Sequence, residues 1–106
     1  MSVLAKIQAL SNETRFEIVK LVREREMAAG AIARRFDMTR PAVSQHLGVL
    51  REAGLLDERR DGPQRLYVVR EEGFSELVDF VDGFWRPRLQ RLKLAAEAAE
   101  GSKTKP

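Results

Sequence analysis

The segment Thr39-Arg40-Pro41-Ala42-Val43-Ser44-Gln45-His46-Leu47-Gly48-Val49-Leu50-Arg51-Glu52-Ala53-Gly54 reads as one helix with both of its ends marked. The Thr39 hydroxyl can accept from an orphan backbone N–H one turn on, Pro41 is tolerated in a first turn, and Gly54 suits the left-handed residue that follows a helix. Val43, Leu47 and Leu50 fall at i, i+4 and i+7 and make a narrow apolar stripe, which leaves Arg40, Ser44, Gln45, Gly48 and Arg51 on the other side. That free side carries hydroxyl, amide and guanidinium groups and no large aliphatic side chain. Such groups read base edges and phosphates in a major groove, so the segment is a candidate recognition helix.

Upstream, Ala29, Ile32, Ala33 and Phe36 keep helical spacing with Arg34 and Arg35 facing outward, and Phe36-Asp37-Met38-Thr39 is the tight connection into the recognition helix. Two short helices joined by about three or four residues, the second polar on its outer face, form a helix-turn-helix pattern. An αα-hairpin held by packing alone is the competing reading. Nearer the start, Val3, Leu4, Ile7 and Leu10 give a short amphipathic helix, ended by Ser11 and Asn12, either of which can cap the next one. That next helix runs to about Glu26, and Phe16, Ile18, Val19, Leu21 and Val22 make a stripe too wide for a surface helix, which places it at the centre of the core. Met27-Ala28-Ala29-Gly30 is a weak break.

Downstream, Asp61-Gly62 stands between two β-favouring runs and Pro63 suits a loop tip, the signature of a hairpin. Arg59, Arg60 and Arg65 then lie near its tip. A hairpin is marginal alone, so Leu56, Leu66 and Val68 are expected to pack on the helices. The last helix opens at Glu71-Glu72-Gly73 and carries Phe74, Leu77, Val81, Phe84, Trp85, Leu89 and Leu92 at near-helical spacing, with Val78 and Phe80 widening the stripe. Pro87 removes a hydrogen bond and crowds the Gly83 carbonyl, which predicts a kink near Arg86 or a break into two helices. Residues 1–100 are expected to form one domain, and residues 101–106 a disordered basic tail.

A single domain of 106 residues buries only about two-thirds of its unfolded surface, so pairing with a second copy would help it. The absence of an apolar run of about 18 residues and of a leader-like start predicts a cytoplasmic protein with no membrane partner. With no cysteine and one histidine, thiol switches are excluded and a zinc site is disfavoured. Neither a cysteine nucleophile, nor a serine with a plausible histidine base, nor a phosphate-cradling glycine loop is present, so no enzyme activity and no cofactor are expected. A net charge of +3 is compatible with nucleic acid and decides little alone. Asp79 and Asp82, three apart, are more simply solvated carboxylates than a cation site, and Arg86, Arg88, Arg91 and Lys93 a solubilising run.

Helices, a helix-turn-helix, a hairpin and a final helix make a winged helix: mainly α with a small β-hairpin, in the order α-α-α-α-β-β-α. Three stretches carry a family likeness. Leu10-Ser11-Asn12-Glu13-Thr14-Arg15-Phe16-Glu17-Ile18, the run from Val43 to Leu56, and Arg60-Asp61-Gly62-Pro63-Gln64-Arg65-Leu66-Tyr67 together resemble the ArsR/SmtB family of bacterial repressors. The resemblance runs from about Leu4 to Leu92. It implies a homodimer that binds operator DNA in the absence of an inducer, with the first and last helices building the dimer interface. By position, Thr39, Arg40, Ser44, Gln45 and His46, with Arg51, would meet the major groove or its phosphates. Arg60 and Arg65, with Gln64, would meet the adjacent minor groove or backbone. Leu4, Ile7, Leu77, Phe80, Val81, Phe84, Trp85, Leu89 and Leu92 would form the dimer seam, although Phe74, Phe80, Phe84 and Trp85 could instead line an effector pocket.

The sequence departs from the family's metal sensors. Glu26-Met27-Ala28-Ala29-Gly30-Ala31-Ile32 lacks the paired cysteines of the arsenic sensors, and the last helix has Asp79 and Asp82 but no histidine. No metal is expected, and no effector is specified. The expected function is a sequence-specific DNA-binding transcriptional regulator, a repressor acting on a near-palindromic operator. A winged-helix protein-interaction module without DNA binding is the alternative.

Overall fold

The computed structural model describes the backbone of residues 2–104 and the side chains of residues 2–100. The chain runs α1 (Val3–Leu10), α2 (Glu13–Glu24), α3 (Ala29–Phe36), α4 (Arg40–Glu52), β1 (Leu56–Asp61), β2 (Gln64–Val69) and α5 (Glu71–Thr104). This is the expected winged-helix order. Of the two candidate caps between the first helices, Asn12 serves α2: its Oδ1 accepts from Arg15 N–H at 3.0 Å. Ser11 instead closes α1, donating from its backbone N–H to the Gln8 carbonyl at 3.2 Å. The turn between α3 and α4 is sharp because Asp37 takes the left-handed conformation, φ 52°, and Thr39 Oγ1 then caps α4 by accepting from Ala42 N–H at 3.3 Å. Gly54 follows α4 at φ 80°, the conformation that favours glycine.

The core lies where α2, α3, α4 and the root of the hairpin meet. Ile18, Ile32, Val43, Leu50 and Leu55 are wholly buried, with Val22, Leu47 and Leu56 almost so. Burial of such side chains contributes about 1.5–3 kcal/mol each. The wide stripe of α2 is only partly core: Ile18, Val19 and Val22 are buried, Leu21 is half-buried, and Phe16 is exposed.

Two expectations are corrected, and the break before α3 is borne out with added structure. Leu66 and Val68 are not the residues by which β2 joins the core; Tyr67 and Val69, of opposite parity, are. The reason is register: Leu56 pairs with Val69 and Glu58 with Tyr67, and directly opposed residues share a face of the sheet. The weak break before α3 is also structured, since Met27 forms a β-bridge with Tyr67, donating at 3.3 Å and accepting at 2.8 Å. Finally, α5 is one helix of 34 residues, with Pro87 inside it rather than at a break. Proline costs a hydrogen bond and crowds the carbonyl four residues back. Here that residue is Gly83, and the helix nonetheless runs on through Pro87. At 1.5 Å per residue the helix is about 51 Å long, and it accounts for molecular extents of 70 × 26 × 25 Å. It continues through residues 101–104 of the segment expected as a tail; residues 105–106 lie outside the described residues.

α1 packs on α5, where Lys6, 2 % exposed, pairs its Nζ with the Glu76 carboxylate. The two helices leave Leu4, Ile7, Phe80, Val81, Phe84, Trp85, Leu89 and Leu92 exposed, while Leu77 is half-buried. Val78 and Leu94 are exposed beside them.

Candidate nucleic-acid interface

The two sides of α4 separate cleanly. Val43, Leu47 and Leu50 are buried, whereas Thr39, Arg40, Ser44, Gln45 and Arg51 are exposed and Gly48 is intermediate. A Cβ built on Gly48 meets nothing within 4 Å. Packing therefore supplies no reason for glycine at this position.

His46 stands apart from this polar face. It is half-buried, with Nδ1 3.4 Å from Nη1 of Arg15. A guanidinium only donates, so Nδ1 is the acceptor and the ring proton sits on Nε2. Burial first, and the Arg15 charge second, hold its pKa below the ordinary histidine value. Arg15 is itself anchored by Nε donating to the Ala9 carbonyl at 2.7 Å. His46 thus packs at the seam between α2 and α4 beside Arg15.

In the wing, a two-residue turn of Gly62 (φ 61°) and Pro63 brings Asp61 opposite Gln64 and Arg60 opposite Arg65. Arg60 and Arg65 therefore share the face that, nearer the root, carries Glu58, Tyr67, Leu56 and Val69. Gln64 falls on the other face with Arg59, whose Nε donates to the Glu26 carboxylate. The register puts the two wing arginines on one face of the ribbon and Gln64 on the other, while Gln64 and Arg65 both line the cleft beside the wing.

Glu58 is the residue that sequence reasoning missed. Its Oε1 accepts from Arg51 Nη1 at 3.0 Å and from the Tyr67 hydroxyl at 2.9 Å. Burial, then the hydrogen bond to Glu58, push the Tyr67 pKa up. Arg51, grouped by helical spacing with the groove-facing residues, is thereby tied to the wing. The signal that could have found this is the turn itself: a two-residue loop at Gly62-Pro63 sets Glu58 opposite Tyr67.

Between the wing and the helix-turn-helix lies a cleft of about 760 Å³ whose walls include Arg40 and Ser44 from α4 and Arg65 from the wing. Among the described residues, no group of three or more histidine, aspartate or glutamate side chains could hold a metal ion. Asp82 pairs with Arg86 at 3.0 Å. No helix among them is long and apolar enough to cross a membrane.

Residues 10–59 match the helix-turn-helix domain family. The HTH-type transcriptional regulator Rv2034 of Mycobacterium tuberculosis is 41 % identical over 78 residues, which cover 74 % of this chain and 73 % of that protein. A solved structure, the homodimeric winged helix-turn-helix DNA-binding domain of Mb0332 from Mycobacterium bovis, a possible ArsR-family regulator, superposes with a TM-score of 0.65 at 30 % identity. It covers 77 % of this chain and 76 % of that one. The chain belongs to the ArsR/SmtB family of winged-helix transcriptional regulators. A further relative, the biofilm growth-associated repressor of Agrobacterium fabrum, is 32 % identical over 73 residues, 69 % of this chain and 62 % of that repressor. In this family member the helix-turn-helix match takes in α2, α3 and α4 and stops at Arg59, just short of the wing tip. Its members are regulators rather than enzymes.

Proposed function

We propose that the protein is a homodimeric transcriptional repressor that inserts one α4 per subunit into successive major grooves of a near-palindromic operator. The observation that carries this reading is that Arg40 and Ser44 of α4 and Arg65 of the wing line one cleft, so base-reading and backbone-gripping groups face the same way. Thr39, Arg40, Ser44 and Gln45 meet base edges and nearby phosphates, while Arg60 and Arg65 hold the flanking backbone or minor groove, where negative potential is strongest. His46 and Arg51 act behind the contact surface, setting the pose of α4 against α2 and the wing. Gln64 lines the same cleft beside Arg65 and serves the wing contact from there.

The exposed apolar residues of α1 and α5 form the dimer seam, a reading supported by the homodimeric state of the Mb0332 domain. Two-fold symmetry then calls for half-sites about 34–36 Å apart. Acting on promoters, the protein works in the cytoplasm, without a metal cofactor. Any inducer would act by binding more tightly to a dimer whose reading heads are set at another angle.

The test is selection of genomic fragments bound by the purified protein, followed by mobility shift across a range of salt. Ser44→Ala with Gln45→Ala should relax base preference, whereas Arg60→Ala with Arg65→Ala should weaken binding to every sequence. Equal loss of specificity in both variants would contradict this division of labour, and enriched duplexes that never shift at low ionic strength would end the proposal.

A further inference from the structure

The cleft between the wing and the helix-turn-helix holds more positive charge than the recognition helix and wing tip supply. Besides Arg40 and Arg65, Arg25 at the end of α2 and Arg34 on α3 line it. Its two carboxylates are already engaged: Glu26 with Arg59, and Glu58 with Arg51 and Tyr67. Among the described residues the four lining arginines pair with no carboxylate. Asp37 lines the adjoining groove with Arg34 and Arg40 and forms an ion pair with neither. The cleft is thus a basic channel whose own acids are neutralised from outside it.

Two of these cations converge. A methyl group placed on Gly30 would stand 3.4 Å from Nη1 of Arg40 and 3.7 Å from Nη1 of Arg34. Like charges gathered about one point repel unless an anion comes between them. The floor beneath is Ala28, Ala29, Gly30 and Ala31, small residues that leave the channel open to a rod-like polyanion. Planar guanidiniums are suited to phosphate oxygens because their donors form a fork.

We infer that this channel seats a length of the operator's sugar-phosphate backbone, with Arg25 and Arg34 as phosphate-gripping residues alongside Arg40 and Arg65. The inference rests on the DNA-binding reading above and adds to it a strand path from the α4 contact to the wing contact across α3. Arg25 and Arg34 stand outside the base-reading set of α4, so their contribution is the same for every sequence.

The experiment measures binding of the full chain to an enriched genomic duplex and to a scrambled duplex by fluorescence anisotropy over a salt series. Arg25→Gln with Arg34→Gln should weaken both duplexes by the same factor and lower the slope of log affinity against log salt by about two, one for each lost phosphate contact. Arg25→Lys with Arg34→Lys should keep the slope, because the charge remains; a merely structural role would not separate the lysine from the glutamine pair. With wild-type protein, phosphate ethylation interference should show a run of phosphates whose modification blocks binding, and the glutamine variant should lose that run. An unchanged slope in the glutamine variant overturns the inference, and it is also the result expected if a free phosphorylated metabolite were the occupant. Failure of the wild type to bind any duplex would instead bring down the DNA-binding reading itself.

Discussion

Gly73, in the first turn of α5, lies so close to the end of α4 that a Cβ built on it would stand 1.8 Å from the carbonyl oxygen of Gly54. The joint is tightened by Arg70 N–H donating to the Leu55 carbonyl at 2.9 Å. The recognition helix and the long helix that carries the apolar seam therefore meet backbone to backbone. Gly73→Ala must push them apart, and overpacking of this kind costs about 1–3 kcal/mol or more. Urea denaturation should show a midpoint shifted down accordingly; an unchanged midpoint would mean the joint yields without cost.

Glu58 bridges α4 and the wing, so its removal should loosen the wing without unfolding the domain. Tyr67 is the single tyrosine, which makes the contact directly observable by ultraviolet titration of the phenol. In Glu58→Gln the Tyr67 midpoint should move down toward the ordinary tyrosine value while staying above it, because burial is the larger cause of its elevation. A midpoint that does not move would rule out the hydrogen bond.

Lys6 and Glu76 should give the protein a component of acid sensitivity. The Lys6 hydrogen bond, and then its charge, hold the Glu76 pKa below the usual carboxylate value. A lowered folded-state pKa means that the unfolded chain takes up the proton first. The stabilisation is complete above the ordinary glutamate range and is lost as pH falls through that range toward the lowered value. Glu76→Gln should be less stable than wild type at neutral pH and lose less on acidification. Denaturant melts at several pH values check this, and parallel pH profiles for the two proteins would contradict it.

Gly48 has open space where a side chain would be, so alanine should stabilise the free protein by about 1 kcal/mol through helix propensity. The thermal midpoint should rise by about 4–8 °C. With α4 inserted in a groove as proposed, the same methyl group should weaken operator binding by holding the helix off the sugar-phosphate strand. Unchanged affinity would place the closest approach elsewhere along the helix.

Phe84 and Leu89 are 66 % and 60 % exposed in the single chain, so charges placed there leave the monomer's own core intact. Phe84→Glu with Leu89→Glu should give a folded monomer by light scattering and a steep loss of operator affinity. A particle that keeps the mass of a dimer would move the interface away from this face.

What the sequence determined by itself is what short-range physics governs. The Thr39 cap, the buried stripe of Val43, Leu47 and Leu50, the left-handed Gly54 and the turn at Gly62 each depend on groups within about one helical turn or one tight loop. Those signals sufficed for the element order and for the polar face of α4. Tertiary structure decided what local pattern leaves degenerate. Leu66-Tyr67-Val68-Val69 is apolar throughout, so nothing local says which pair faces the core; the hairpin register selects Tyr67 and Val69. Lys6 sits beside apolar neighbours as an ordinary polar residue until Glu76, 70 positions away, meets its ammonium. Arg51 has the helical phase of a groove-facing residue and is claimed by Glu58 only because the wing folds back over α4. Arg25 and Arg34 become part of one channel for the same reason: charge acts through space, and only the folded chain brings α2, α3, α4 and the wing to the same cleft.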